Sequence, residues 1–127
     1  MAERVEISQG VVEKLTPWYS EEFIRNTPVL NGTFCGWFFG LFRQAGVTIN
    51  KKIHLTKRAP ALTSSNGIVL LGHEMYHVIQ QQEMGWWSFI LWYLWHWRPS
   101  HIKQGRKHPL EEPAYARGDE IDDTLAL

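Results

Sequence analysis

Several common features are scarce in this sequence of 127 residues. Cysteine occurs once, at Cys35, so no internal disulfide can form and the fold must depend on packing or on a bound metal. Lys plus Arg and Asp plus Glu both number 13, so the overall charge gives no indication of a nucleic-acid partner. The longest apolar run, residues 86–97, would span only about 18 Å as a helix, which is too short to cross the roughly 30 Å core of a bilayer.

The remaining composition is that of an ordinary folded protein. Hydrophobic residues make up 44% of the chain and charged residues 20%, which is typical of one globular domain at this length. The first ten residues, MAERVEISQG, are charged and contain no apolar run. We therefore expect no secretory signal and a cytoplasmic location by default, with a membrane-peripheral location still open.

Hydrophobic periodicity divides the chain into short elements. Residues 8–26 favour one or two short helices, and the aromatic and glycine-rich residues 29–42 favour strand and turn. Residues 46–56 alternate apolar and polar side chains around a central NKK, which predicts a hairpin or bent strand. A strong helix is predicted over 66–83, and another begins after Pro109. Strands followed by helices in one small unit predict an α+β fold.

One stretch of the predicted long helix, GHEMYHVIQQQ, carries candidate chemistry. His73 and His77 are four residues apart, so they project from the same helix face and can bind one tetrahedral ion. Glu74 lies about 100° around the axis from His73, where it can reach a water on that ion. A metal-activated water beside a carboxylate base is the chemistry used to attack peptide carbonyls. The stretch therefore predicts a metal site with a base beside it.

A catalytic zinc ion needs a third protein ligand, and residue spacing alone leaves this ligand open. A continuing helix would carry Glu83 about 9 Å further along the axis and onto another face, which argues against it. The other candidates all follow the long helix in the chain, and they are His96, His101, His108, Glu111 and Glu112.

The pairing of LLGHEMYHVIQQ with a downstream HPLEEPAYA resembles the small gluzincin-type HExxH zinc metallopeptidase domains, or minigluzincins, many of which have no known function. The resemblance covers about residues 29–116. It implies a small zincin-like fold in which short N-terminal strands or a hairpin pack on an active-site helix, with two further helices. The domain would then comprise an N-terminal helical segment over 1–28, a catalytic core over 29–116 and a flexible acidic tail over 117–127.

The resemblance also implies a ligand set and an activity. One Zn²⁺ per chain would be held by His73, His77 and Glu111, with Glu74 as general base for hydrolysis of peptide bonds. Glu112 remains the alternative third ligand, because Pro113 replaces a second glutamate that the family often carries just before the alanine. The partner would be a peptide or protein substrate, which would pair with the edge strand beside the active-site helix.

Further positions near the motif are candidates for supporting roles. Gln80 lies one turn beyond His77, and Tyr115 and His108 lie near the third-ligand helix. These three could act next to the metal ligands or as donors to the oxyanion.

Other functions stay open beside the metalloendopeptidase. The first is a catalytically idle module that keeps zinc for stability. The second depends on residues 86–97, WWSFILWYLWHW, which hold five of the seven tryptophans. This stretch could be a buried helix covering the metal, a surface for a protein partner, or a contact with a membrane surface.

Overall fold

The computed structural model describes residues 3–95 and 109–126, in which short helices and strands alternate before three longer helices. The strands are β1 (Glu3–Arg4), β2 (Val29–Asn31), β3 (Gly46–Ile49) and β4 (Lys52–Leu55). The helices are α1 (Gln9–Leu15), α2 (Glu21–Asn26), α3 (Phe34–Gly40), α4 (Ser65–Met84), α5 (Trp86–Trp95) and α6 (Glu111–Leu125). The predicted α+β class is confirmed.

The four strands form one mixed sheet with the order β1-β2-β4-β3. Strand β2 runs parallel to β4, whereas the β1–β2 and β3–β4 pairs are antiparallel. The β3–β4 connection is a two-residue turn in which Asn50 and Lys51 have positive φ angles of 48° and 66°. Such a left-handed pair matches the twist of the flanking strands, so the hairpin predicted over 46–56 is confirmed.

Helix α4 crosses the middle of the domain and matches the predicted span of 66–83 within two residues. Its N-cap is Ser64, whose side chain accepts a hydrogen bond from the Gly67 amide. It ends at Gly85, whose φ of 79° is a conformation that favours glycine. The core surrounds this helix and consists of Val11, Val12, Leu15, Tyr19, Ile24, Val29, Ile53, Leu55, Ile68, Leu71, Met75, Val78 and Ile121.

The N-terminal helices were predicted over 8–26 and are observed there. Ser20 caps α2 by accepting from the Phe23 amide, and the apolar face of α1 is buried in the core. Tyr19, between the two helices, donates a 2.7 Å hydrogen bond from its hydroxyl to the Gly72 carbonyl. The N-terminal segment is thereby tied to α4.

Two expectations about local structure were wrong. Residues 34–40 are helix α3 rather than strand and turn, because Thr33 caps the helix by accepting a 2.9 Å hydrogen bond from the Gly36 amide. The expected flexible acidic tail over 117–127 is instead helical to Leu125. Its acidic side chains are solvated, but Ile121 is fully buried in the core and holds the helix against α4.

No helix within the described ranges combines the length and the apolar character needed to cross a membrane.

Candidate metal centre

Three candidate ligands from two helices converge on one point. His73 and His77 lie one turn apart on α4, and their ring centroids are 4.9 Å apart. Glu111, the first residue of α6, places Oε1 3.2 Å from Nε2 of His73 and 2.5 Å from Nε2 of His77. The three donor atoms all lie within 4.8 Å of one another. The arrangement is compatible with a metal site.

The close packing of α6 on α4 brings Glu111 to this point. Where the helices cross, Ile121 of α6 lies against Gly72, and a Cβ added at Gly72 would collide with its Cδ1 atom. On the other helix, a Cβ added at Gly118 would lie 3.4 Å from Cγ1 of Val69. Glycine at position 72 therefore lets α6 approach α4 closely, whereas position 118 has room for a methyl group.

The chemistry of the donor set fits a divalent transition metal. Two imidazole nitrogens and one carboxylate oxygen are the protein ligands of a common kind of catalytic zinc site. In a tetrahedral zinc site, neighbouring donor atoms are about 3.3 Å apart, close to the separation seen between His73 and Glu111. The shorter separation between His77 and Glu111 is that of a hydrogen bond, which a metal would replace.

In the metal-free protein, a proton joins His77 to Glu111. Burial alone would lower the pKa of His77, but the hydrogen bond and the negative charge of Glu111 outweigh burial and raise this pKa to about 9. Burial likewise would raise the pKa of Glu111, yet the hydrogen bonds from His73 and His77 hold it well below its usual value. The pair is therefore an imidazolium and a carboxylate at neutral pH.

Gln80 links the two ligand helices. Its Oε1 lies 2.8 Å from Nδ1 of His77, and its Nε2 donates a 3.0 Å hydrogen bond to the carbonyl of Leu110, at the start of α6. The amide oxygen can only accept, so Nδ1 of His77 carries the proton and Nε2 is directed to the metal-binding point. Gln80 thus fixes the orientation of one ligand and the position of the helix that carries another.

Glu74 is 4% exposed and lies at the interface between α4 and the hairpin. The hydroxyl of Thr48, on β3, lies 2.6 Å from Oε2 of Glu74 and 3.1 Å from its main-chain oxygen. The negative charge of Glu74 is also among the causes that raise the pKa of His77, after the hydrogen bond and charge of Glu111. Strand β3 therefore orients the side chain of Glu74 through Thr48.

Gln81, which is 1% exposed, is a supporting residue that was not predicted from the sequence. Its Nε2 donates to the Thr48 carbonyl at 3.0 Å, and its Oε1 accepts from the Lys51 amide at 2.6 Å. Gln81 therefore fastens the β3–β4 turn to α4. Gln81 lies four residues after His77 and therefore on the same face of the helix. This spacing is the sequence signal that could have identified it as a supporting residue.

Aromatic rings flank both histidines. The ring of Tyr115 lies edge-on to His73 at 4.4 Å between centroids, and Phe89 of α5 lies 6.1 Å from His77. Phe89 is buried, so the inner face of the Trp-rich helix covers one side of the candidate metal centre. The outer face is exposed at Trp87, Leu91 and Trp92. The last two residues of the 86–97 stretch lie outside the described residues.

Several candidate residues from the sequence are not part of the cluster. Glu112 and Glu83 are exposed, and neither belongs to the metal-compatible group found in the described residues. His96, His101 and His108 lie outside the described ranges, so their predicted roles as third ligand or oxyanion donor stay predictions.

A family model matches part of the chain. It is described as the eCIS core domain, where eCIS denotes the extracellular contractile injection system, and it matches residues 42–85. The match is about a third of the 127 residues and includes β3, β4, α4 and the HExxH motif, but not Glu111. No curated protein and no solved structure matches the chain.

Proposed function

We propose that this chain is a zinc-dependent peptidase that hydrolyses peptide bonds, with His73, His77 and Glu111 as the zinc ligands and Glu74 as the general base. The observation that carries the proposal is a buried carboxylate next to a two-helix His–His–Glu cluster. Bound zinc supplies a Lewis acid for the carbonyl and lowers the pKa of water in its open position to about 7.

The protein's own groups have defined tasks in this reaction. Glu74 accepts the proton of the attacking water, and Oε1 is the candidate acceptor because the Thr48 hydroxyl binds Oε2. Gln80 keeps His77 in the tautomer that offers Nε2. Phe89 and Tyr115 cover the two imidazoles and limit the access of bulk water.

The position of β3 suits an extended substrate. In the described part of the chain, β3 pairs with β4 on one side and has no strand on the other. Its residue Thr48 contacts Glu74, so this edge lies beside the proposed base. A peptide added along β3 would gain main-chain hydrogen bonds next to the reacting groups.

A second candidate function is an idle zinc module, and one observation favours it. The bond between Thr48 and Glu74 gives this carboxylate a structural task, because it joins β3 to α4. A buried glutamate after the first histidine is therefore useful to the fold even without catalysis. The eCIS core domain match does not distinguish the two functions, because its description names no activity.

The first test is the metal content of purified variants. We expect the parent to bind about one zinc per chain. Glu111→Ala should lose zinc, because it removes the carboxylate that contacts both histidines, and Glu112→Ala is the matched control because its carboxylate is exposed. Retention of zinc by Glu111→Ala together with loss by Glu112→Ala would reverse the ligand assignment.

The second test separates catalysis from structure through Glu74→Gln. The glutamine keeps an oxygen that can accept the Thr48 hydrogen bond, but it cannot take up a proton as a base. We expect unchanged zinc content and thermal stability, with hydrolysis of a peptide library reduced at least a hundredfold. If Glu74→Gln cleaves as fast as the parent, Glu74 is not the base. If the zinc-loaded parent cleaves no peptide, the idle module is the better function.

A further inference from the structure

Helix α3 and the turn that follows it expose an aromatic surface. Five of the eight exposed large hydrophobic side chains in the described residues belong to it. Phe34 is 75% exposed, Leu41 61% and Phe42 62%, values that are unusual for such side chains. This α3 surface consists of Phe34, Trp37, Phe38, Leu41 and Phe42.

The exposure follows from how α3 packs on the sheet. The five side chains occupy positions i, i+3, i+4, i+7 and i+8, which form one continuous helix face. The opposite face carries Gly36 and Gly40, which pack against Leu55 and Thr56 at the end of β4. Since the glycines allow the helix to lie flat on this strand, the aromatic face is directed away from the domain.

The exposed rings contact one another. Phe38 lies 5.3 Å from Phe42 and 6.4 Å from Phe34 between ring centroids, and Phe34 lies 5.7 Å from Trp37. They therefore form one contiguous patch, and patches of this kind mark interaction sites.

The sequence stretch that contains this patch carries formal charges of one sign, although the chain as a whole is neutral. No Asp or Glu occurs between Glu22 and Glu74, a stretch that contains the whole α3 surface. Arg58 donates a 2.9 Å hydrogen bond from Nε to the Gly40 carbonyl, which holds its guanidinium at the end of α3. The basic residues next to the α3 surface are Arg43, which follows Phe42, and Lys57 and Arg58, which lie beside Gly40.

We propose that the α3 surface docks on an anionic lipid membrane, with the aromatic side chains in the interfacial layer and the neighbouring basic side chains on the headgroups. Trp, Phe and Leu on one helix face beside Lys and Arg are the composition of segments that lie in a membrane interface. Residues 23–73 contain no acidic side chain, so this stretch itself contributes no repulsion from an anionic surface. The proposal does not depend on zinc or on catalysis.

The test is co-sedimentation of the full chain with vesicles at physiological salt. We expect binding to vesicles of equal parts phosphatidylcholine and phosphatidylglycerol, with a blue shift of tryptophan emission, and much weaker binding to phosphatidylcholine alone. The double variant Phe34→Ser/Trp37→Ser should bind at least tenfold more weakly, because two side chains no longer enter the interface. The proposal is overturned if the parent stays in the supernatant with anionic vesicles, or if the double variant binds like the parent.

Matched control variants test whether vesicle binding depends on the α3 surface in particular. Trp87→Ser removes an equally exposed aromatic from α5 and should change binding less than twofold, and an effect equal to that of the double variant would overturn the assignment to α3. Lys57→Glu should weaken binding severalfold, whereas the same change at exposed Lys14 on α1 should have little effect. Equal effects at both lysines would overturn the charge argument.

Two further measurements on the same samples detect unfolding and self-association. The unfolding midpoints of the variants should match that of the parent, because the altered side chains are exposed. Lys57→Glu changes no aromatic side chain, so it tests the proposal even if the aromatic variants are less stable. Sedimentation velocity tests whether a second copy of the chain, rather than a membrane, covers the α3 surface. A parent dimer that the double variant dissolves, without any vesicle binding, would overturn the proposal.

Discussion

At the scale of single residues, the candidate metal centre is held together by a proton when no metal is present. His77 is protonated because the charge and hydrogen bond of Glu111 raise its pKa to about 9. A raised histidine pKa contributes stability that is complete below the unfolded value of 6.5 and is lost as pH rises through about 9. The lowered pKa of Glu111 contributes stability above its ordinary value of 4.5, which is lost as pH falls.

The same proton competes with a metal, and this gives a pH prediction. Zinc requires the neutral imidazole, so binding must displace the proton from Nε2 of His77. We expect the apparent zinc affinity to rise about tenfold per pH unit between roughly 7 and 9, and to level off above that range. The measurement is competition against a chromophoric chelator at each pH.

His54→Gln is the control for this titration. Burial, and to a smaller extent the nearby Lys52, lowers the pKa of His54, so this histidine is neutral over the same pH range. Its Nδ1 contacts the Thr33 hydroxyl rather than the metal-binding cluster. The variant should therefore show the parent's slope. A zinc affinity independent of pH above 7 would contradict the proton link between His77 and Glu111.

The residues of the cluster differ in how far sequence could predict them. His73, Glu74 and His77 lie within five positions of one helix, so helical geometry alone predicts which of their side chains point together. Glu111 is 34 positions from His77, and its place depends on how α6 packs on α4. Spacing carries no information on that packing, so only the resemblance to gluzincin-type domains ranked Glu111 ahead of the histidines.

At the scale of elements, the crossing of α4 and α6 controls whether the centre can form. The two glycines at this crossing differ in the space around them. An added methyl at Gly72 would collide with fully buried Ile121, whereas one at Gly118 would make ordinary contacts, 3.4 Å from Val69 and 3.9 Å from Cβ of His73.

We therefore predict opposite effects for two alanine substitutions in the metal-free protein. Gly72→Ala should lower the free energy of unfolding by about 1–2 kcal/mol, because overpacking exceeds the gain in helix propensity. Gly118→Ala should raise it by about 0.5–1 kcal/mol, since the propensity gain meets no clash. Urea unfolding followed by circular dichroism measures both. Equal effects of the two substitutions would mean that α4 and α6 are further apart than the structure has them.

Helices and strands could be predicted from the sequence where a single hydrophobic periodicity extends over the whole element. The β3–β4 hairpin follows from strict alternation around a polar turn, and α4 follows from its apolar periodicity. Helix α3 was not predictable in this way, because aromatics and glycines favour strands and turns in isolation. The Thr33 cap is a local signal that the sequence does contain, whereas the flat contact of Gly36 and Gly40 with β4 is a property of the folded domain.

At the scale of the whole molecule, a metal would join two closely packed helices that come from distant parts of the chain. The histidines come from the matched segment at residues 42–85, whereas Glu111 comes from the C-terminal helix outside it. In α6 the fully buried apolar side chains are those of Ala114 and Ile121. The metal would therefore add an attachment between α4 and the N-terminal end of α6, beside the hydrogen bond from Gln80 to the Leu110 carbonyl.

This attachment predicts a large thermal effect of zinc. A ligand present at about a thousand times its Kd stabilises the folded state by about 4 kcal/mol, which for a domain of this size raises Tm by roughly 10–20 °C. Calorimetry of the parent with zinc and with a chelator measures the shift, and His77→Ala, which lacks one ligand, should melt at the same temperature in both. Magnesium should not replace zinc, because it prefers oxygen ligands in octahedral geometry. If Tm is the same with zinc and with chelator, the three side chains are not a metal centre, and the peptidase and the idle zinc module would both have to be abandoned.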